Sequence, residues 1–463
     1  MYNFMELKGL VRGEVIARGE ALYAARRGDL LYNRRAPDRQ PSAIVRARDV
    51  RDVQAVVRYA AANDLTVSPR GSGHNWSGIA MQDGIVLDLS GLNNLAIDPL
   101  ARTAEVGPAL DNRTMARQLT EHSLAFPLGH CGHVSLSGYL LGGGLGWNSE
   151  RWGLGCHNVI GFDVVTADGA LHHASETENP DLFWAARGGG PAFFGVVTRY
   201  RLALHALPSA IVTTNRFYPL SRIGDLQQAV LHAKAELADN IEYSVVLLPA
   251  PPQLSSAGPH VVLATATVFA ETESDSQAAM EKISSLAPDG ALYVETTPSS
   301  FEALYDPFDQ ALPAGKRYAV DSFWSAAPSD GYMTLYADQI SKAPSPLCMA
   351  LAVVLPPQQN EPAQVPDTAF SMSGNGFGLV YAIWDDPAED DAHLAWLRAT
   401  SDALAHETVG HYVGEADLAR PGWLRRCYSP EAWARLISLR EKWDPRGVFR
   451  RPELTDPEFK LAG

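Results

Sequence analysis

Hydrophobic and polar positions alternate along this chain in two textures, and the texture changes near residue 209. In the first stretch short strand-like and helix-like patterns take turns. SAIVRA, residues 42–47, reads as a strand. DVRDVQAVVRYAAANDL, residues 49–65, reads as a helix, because Val53, Val56, Val57 and Ala60 recur at helical spacing. Asp49 suits its N-cap, since a short carboxylate accepts the helix's orphan amide hydrogens. LTVSPR (65–70) is a predicted strand running into a glycine-rich turn, and GIVLDLSGL (84–92) another strand and turn. The order is β-α-β followed by mixed strands.

Beyond residue 209 the segments IVTTNRFYPL, YSVVLLPAP, HVVLATATVFA, KRYAVDSFW, LCMALAVVLP and GFGLVYAIW are predicted strands of one broad antiparallel sheet. Helical patterns such as DLQQAVLHAKAEL and SDSQAAMEKISSL separate them and cover one face, leaving the other to wall a small-molecule pocket. After about residue 411 the chain returns to a helix, SPEAWARLISLREKW, and then DPRGVF. The expected division is therefore 1–208, 209–410 and 411–463, in an α+β protein.

Length supports more than one lobe, because 463 residues exceed the usual size of a single core. Charge narrows the partners. With 53 acidic against 38 basic side chains the net charge is -15, which argues against a phosphate-backbone partner. The N-terminus lacks the pattern of a secretion signal, and no apolar run approaches the ~18 residues of a membrane span. The four cysteines have no CxxC spacing, so neither a metal site nor a disulfide framework is indicated. A cytoplasmic, reducing setting is expected, and a special cysteine is more plausibly chemical than structural.

Three segments carry candidate chemistry. In PRGSGHNWSG (69–78), Gly71 and Gly73 let the backbone turn its amide hydrogens inward, a geometry that holds a pyrophosphate without side-chain charge, and His74 closes the turn. The bland alternative is a tight surface turn. PLGHCGHVSLSGYLLGGGLGWNSERWGLG (127–155) packs glycines around lone Cys131. Glycine costs ~0.5–1 kcal/mol relative to alanine in regular structure, so close backbone approach is required there, and a planar cofactor with phosphates is the obvious visitor. The nicotinamide dinucleotide fingerprint does not fit, because Trp147 and Ser149 stand where its third glycine belongs. For Cys131 the alternative is a small buried apolar residue. DLFWAARGGGPAFFGVVTRYRLALH (181–205) reads as a short helix, a glycine turn and a core strand.

These segments, with WDPRGVF at 443–449, occur in the order and context of one family. The chain resembles the berberine bridge enzyme-like branch of the vanillyl-alcohol oxidase flavoproteins over nearly its whole length, nearest to bacterial members such as 6-hydroxynicotine, carbohydrate and aclacinomycin oxidases. The resemblance implies a two-lobed fold: a PCMH-type FAD-binding part and a substrate part built on a large antiparallel sheet covered by helices. It implies FAD held bicovalently, through His74 at the 8α-methyl carbon and Cys131 at C6. Further cofactor contacts implied are Arg70, Gly71, Ser72, Gly73 and Asn75 in the first segment. In the second they are Val134, Ser135, Gly138, Gly143 and Gly144, and beyond it Asn158, Val159 and Val165. Val134, three positions after the cysteine, is the residue type associated with oxidases, which pass electrons to O2 and release hydrogen peroxide.

The family's Y-x-N-Y segment reads Tyr412-Val413-Gly414-Glu415 here, so asparagine and the second tyrosine are replaced. Tyr412 and Glu415 are the candidate bases, and lining of the domain junction is the alternative for both. Ala432-Trp433 replaces another family pair, N-Y. Trp324 and Tyr381 are candidate substrate contacts, although Trp76, Trp147, Trp152 and Trp324 all suit a core. Tyr381 and Trp384 lie on one predicted strand with opposite parity, so only one of them faces a pocket. His130 and His133 flank Cys131 and either tune it or serve as scaffold. The expected activity is oxidation of an alcohol or amine carbon on a small molecule: a sugar, an alkaloid or a polyketide alcohol. A dehydrogenase using another acceptor and a non-catalytic flavin-binding protein stay open as alternatives, as do monomer and homodimer.

Overall fold

The computed structural model describes residues 4–326, 331–355 and 366–450. Three sheets organise it. The first has the order β1-β2-β4-β3, with β1 Glu14–Ala17, β2 Ala43–Arg46, β3 Val67–Arg70 and β4 Ile85–Asp88. β2 and β3 both run parallel to β4, which demands a crossover, and the helix Val50–Ala62 supplies it. Asp49 caps that helix, accepting from the amides of Arg51 at 2.8 Å and Asp52 at 3.2 Å. Its Val53, Val56 and Val57 are fully buried against Val67, Leu87 and Phe449.

The second sheet is antiparallel, in the order β5-β6-β10-β8-β9: β5 Leu95–Asp98, β6 Thr103–Val106, β8 Val159–Val165, β9 Leu171–Ala174 and β10 Val196–Ala203. A short pair, β7 Leu124–Ala125 and β11 His205–Ala206, lies beside it.

The third sheet has eight antiparallel strands in the order β15-β12-β14-β13-β17-β18-β16-β19. They are β12 Ala210–Pro219, β13 Ile241–Pro249, β14 His260–Ala270, β15 Tyr293–Pro298, β16 Arg317–Ser325, β17 Met349–Val354, β18 Gly376–Trp384 and β19 Thr408–Gly410. All six segments expected as strands lie in it; Pro356, at the end of the fifth, lies outside the described residues. Two strands escaped the periodicity. All six residues of β15 are exposed, so no alternation marks it, and β19 is three residues long.

Alternation gives the sheet two chemically separate faces. On β13, Tyr243, Val245 and Leu247 pack with Leu226 and Val230 of the helix Ile223–Lys234 and Met333 of the helix Tyr332–Ile340. Glu242, Ser244, Val246 and Leu248 face the other way, into a cavity. The parity argument for β18 holds. Trp384 lies on the helix side, stacked on His393 at 4.6 Å, whereas Tyr381 faces the cavity.

The chain ends by coming back to the first sheet. Ser429 caps the helix Pro430–Trp443, and Asp444 then accepts the amides of Val448 at 2.7 Å and Phe449 at 3.0 Å across a turn in which Gly447 has φ +68°. That hairpin-like stop lays Val448 along β3: the Val67 amide donates to the Val448 carbonyl at 2.7 Å, and the Arg450 amide to the Val67 carbonyl at 3.2 Å. Among the described residues, no helix is long and apolar enough to cross a membrane.

Candidate active site

A cavity of about 1000 Å³ lies between the loop after β3, the Cys131 loop and the inner face of the eight-stranded sheet. Backbone geometry builds its first wall. Arg70 donates to the carbonyls of Gly71 and Ser72, both at 2.9 Å, and to Leu30 at 3.0 Å, while the Tyr32 amide donates to the Gly73 carbonyl at 3.1 Å. In a trans peptide the amide points opposite to the carbonyl. With these carbonyls held outward, the amides of Ser72, Gly73 and His74 turn toward the cavity. Gly73 has φ +73°, and a Cβ on Gly71 would overlap the hydroxyls of Ser135 and Ser137, so both positions need glycine. Asn75 caps the following turn, accepting from the Ser77 amide at 3.0 Å. The Ser135 amide donates to Ser72 Oγ at 3.0 Å and ties the two loops together.

His74 lines the cavity and stacks on Tyr32, with ring centroids 4.0 Å apart. Its Nε2 is buried without a hydrogen-bond partner among the described residues. Burial drives its pKa down to about 3, aided by His133 and Arg70, so the imidazole is neutral. Cys131 lines the same cavity; its carbonyl accepts from Asn112 Nδ2 at 3.0 Å. Burial, and next the charge of Glu415, push the thiol pKa well up. Val134 and Ser135 follow on the wall, as does Gly138, where a Cβ would meet nothing within 4 Å. Inward amides, an imidazole nitrogen without a partner and a glycine facing open space suit a planar group carrying phosphates, and the residues fit FAD.

Beside these loops the cavity holds a carboxylate. Trp76 Nε1 donates to Glu415 Oε2 at 2.6 Å, and Tyr381 also hydrogen-bonds it. Burial raises the Glu415 pKa to about 7, against the pull of Trp76, His130 and Tyr381. Two neighbouring residues of β16 pin this segment. Ser322 Oγ accepts the Tyr412 amide at 3.0 Å, and Asp321 accepts the Asp417 amide at 3.1 Å, Ser401 Oγ at 2.7 Å and Trp423 Nε1 at 3.0 Å. Tyr412 is buried, and its hydroxyl accepts the Leu145 amide at 3.4 Å. Its ring folds back over Gly414, where a Cβ would lie 2.7 Å from a ring carbon. A side chain at this position would have to displace that ring.

A model of the FAD binding domain matches residues 41–175, the span that carries both cofactor loops. The FAD-linked oxidoreductase nodO of Hypoxylon pulicicidum is 30% identical over 92% of this chain and 94% of its own length. The chain belongs to the berberine bridge enzyme-like FAD-linked oxidoreductases. (R)-6-hydroxynicotine oxidase of Paenarthrobacter nicotinovorans is 27% identical over 90% of this chain and 92% of its own. In three dimensions the Physcomitrella patens BBE-like 1 protein superposes with a TM-score of 0.84 over 98% of both chains, at 19% identity. This berberine bridge enzyme-like protein is accordingly an FAD-dependent oxidoreductase with the α+β, PCMH-type fold.

Its predicted site residues divide in two. Arg70 to Asn75, Cys131, Val134, Ser135, Gly138, Trp324, Tyr381, Tyr412 and Glu415 all line the one cavity. Gly143, Gly144, Asn158, Val159 and Val165 lie outside that lining. Gly143 (φ +112°) packs against Phe370 and Gly144 (φ +83°) against the Gly155 backbone. Asn158 donates to the carbonyls of Trp152 at 2.9 Å and Leu154 at 3.0 Å, and bonds His205 at 2.8 Å. Val159 and Val165 are buried in two hydrophobic cores. Trp433, at the second departure from the family pattern, packs on Tyr428 at 5.5 Å.

Two cavity contacts were not foreseen. Trp76 suits a core by composition, and its bond to Glu415 joins residues at opposite ends of the chain. His130 Nε2 meets Glu242 Oε1 at 2.5 Å, tying the Cys131 loop to β13, and the Asn148 amide donates to Glu242 Oε2 at 3.4 Å. Alternation on β13 marks Glu242 as a residue of the unusual polar parity, but nothing local names its partner.

Proposed function

We propose that this enzyme oxidises an alcohol or amine carbon of a small molecule, with FAD tethered through both His74 and Cys131 and with Glu415 as the base. On this reading residues 1–208 and 411–463 make the cofactor part and 209–410 the substrate part. When bound, FAD would supply the acceptor for a hydride, and O2 would take the electron pair together with the hydride's proton and the proton held by Glu415, leaving as hydrogen peroxide. Glu415 carries the proton side. As a carboxylate it accepts the hydroxyl or amine proton while the adjacent carbon gives up its hydride, leaving a carbonyl or an imine.

The observation that carries this reading is Glu415 itself: a carboxylate in the same cavity as both tether candidates, with a pKa of about 7. A base is most effective near the working pH. Tyr412 is a weaker candidate, because burial pushes its phenol pKa well up, and the Leu145 amide that donates to its oxygen offsets this only in part. Trp76 and Tyr381 donate to Glu415 and hold it in place as the proton arrives. The neutral imidazole of His74 supports attachment through a ring nitrogen. Val134, a small residue on the cavity wall beside Cys131, supports access of O2.

The test is anaerobic flavin reduction by members of a panel of sugars, aromatic alcohols and cyclic amines that release peroxide in air. Glu415→Gln should keep its flavin and lose reduction by the active compound. Full reduction at the unmodified rate would remove Glu415 from the mechanism.

A further inference from the structure

The inner face of the eight-stranded sheet is not uniform, and strand register shows where it changes. Across β12, β14 and β13, Thr213 pairs with Thr267 and Thr267 with Glu242; one row on, Asn215 pairs with Thr265 and Thr265 with Ser244. These six side chains make a contiguous polar block on the cavity wall. The next row reads Phe217, Leu263, Val246, Leu351 and Leu379, and the block's own row continues into Val353, Phe377 and Trp324. One corner of the wall is hydrophilic, and the rows beside it are apolar as far as Tyr381.

The block is only partly self-satisfied. Thr213 and Thr267 share one hydrogen bond at 3.0 Å, and Thr265 donates to Asn215 Oδ1 at 2.7 Å. Glu242 is taken by His130 and the Asn148 amide. That leaves the Asn215 amide hydrogens, the Ser244 hydroxyl and threonine lone pairs facing the cavity. The Asn215 amide and the hydroxyls both donate and accept, which matches them to hydroxyl groups on a ligand, and the carboxylates of Glu242, Glu150 and Asp239, which line the same cavity, accept from such hydroxyls as well. The block measures roughly 10 by 7 Å, from strand spacings of ~4.8 Å and ~3.3 Å per residue along a strand. By the same spacings Ser244 stands two strands and four residues from the position of Tyr381, roughly 16 Å away.

We infer that this block is a second subsite, which seats a hydroxyl-rich moiety such as a glycosyl group while an apolar part of the same substrate spans the floor to Glu415. The inference rests on the reading of Glu415 as the reacting end, and it narrows the substrate to an amphiphile about three rings long. A free monosaccharide is too short to reach both ends, and an apolar alcohol leaves the block's polar groups without partners.

Calorimetric titration of the holoenzyme with 4-methylumbelliferyl β-D-glucoside, 4-methylumbelliferone and methyl β-D-glucoside tests it. The expected result is a glucoside affinity at least tenfold above that of either fragment. Asn215→Leu with Ser244→Ala should erase that margin and leave the umbelliferone affinity unchanged. Thr267→Val, a near-isosteric change, provides the same comparison if the double variant fails to fold, with a smaller loss. Equal binding of glucoside and umbelliferone by the unmodified enzyme, or a margin untouched by the variants, overturns the subsite. Because these are binding measurements, they are independent of Glu415→Gln: no margin in the unmodified enzyme with Glu415 still essential rejects the subsite alone, and a margin that the variants erase with Glu415 dispensable rejects the base alone.

Discussion

The two walls of the cavity are specified by different physics. The cofactor-side wall is made of backbone: outward carbonyls held by Arg70, a positive φ at Gly73, and a Gly71 that has no room for a Cβ. The sheet-side wall is made of side chains set by strand register, where exchanging one residue changes chemistry without moving the main chain. In a wall of the first kind a Cβ added at Gly71 or Gly73 runs at once into neighbouring atoms. A wall of the second kind can be revised residue by residue, which is how one scaffold comes to serve different substrates.

The sharpest way to break this contrast is Gly71→Val, which forces β-branched atoms into the space of the Ser135 and Ser137 hydroxyls. The purified variant should carry no flavin absorbance. Normal flavin content would show that the loop yields and that the backbone wall is not rigid. Next comes Glu415→Gln, with the expected fall in flavin reduction of about 10²–10⁴-fold, the range for loss of a general base; stopped-flow absorbance gives the rate directly.

Cys131→Ala should be milder. Flavin should remain attached through His74 as a yellow band on denaturing electrophoresis, with a changed visible spectrum. An unchanged spectrum would reassign Cys131 to packing. The smallest effect concerns pH. Reduction should rise with pH through about 7, because the base works as its carboxylate and protonation below that value disables it. Removing the indole donor in Trp76→Phe destabilises the carboxylate, so the pKa climbs further and the rising limb moves up by roughly one unit. Tyr381→Phe should shift it in the same direction by less. A limb that stays in place in both variants would show that Glu415 is not the titrating group.

The same contrast explains what was legible in the sequence. The glycine loops announce themselves because the residues that let a backbone turn are few, and Asp49 and the helix after it follow from spacing alone. Six strands of the large sheet follow from alternation, while β15 does not, being wet on both faces. Side-chain partners across the fold are a different matter. Trp76 and Glu415 meet over a separation of 339 residues, and His130 and Glu242 over 112, distances at which no local pattern survives. The polar block is written as alternate Thr, Asn, Glu and Ser on three strands, yet it becomes a surface only once their register is known. In the run of glycines 142–144 close approach is indeed required: Gly142 lines the cavity, and Gly143 and Gly144 pack against Phe370 and Gly155.

The pairing of Val67 with Val448 and Arg450 has a bearing on biosynthesis. During translation the strand that leads into the His74 loop waits with an open edge until the entire eight-stranded sheet has emerged from the ribosome. The first sheet thus gains its last edge contact from a segment made after all eight strands of the large sheet, and a variant ending between the helix Pro430–Trp443 and Val448 should retain less flavin than the full chain.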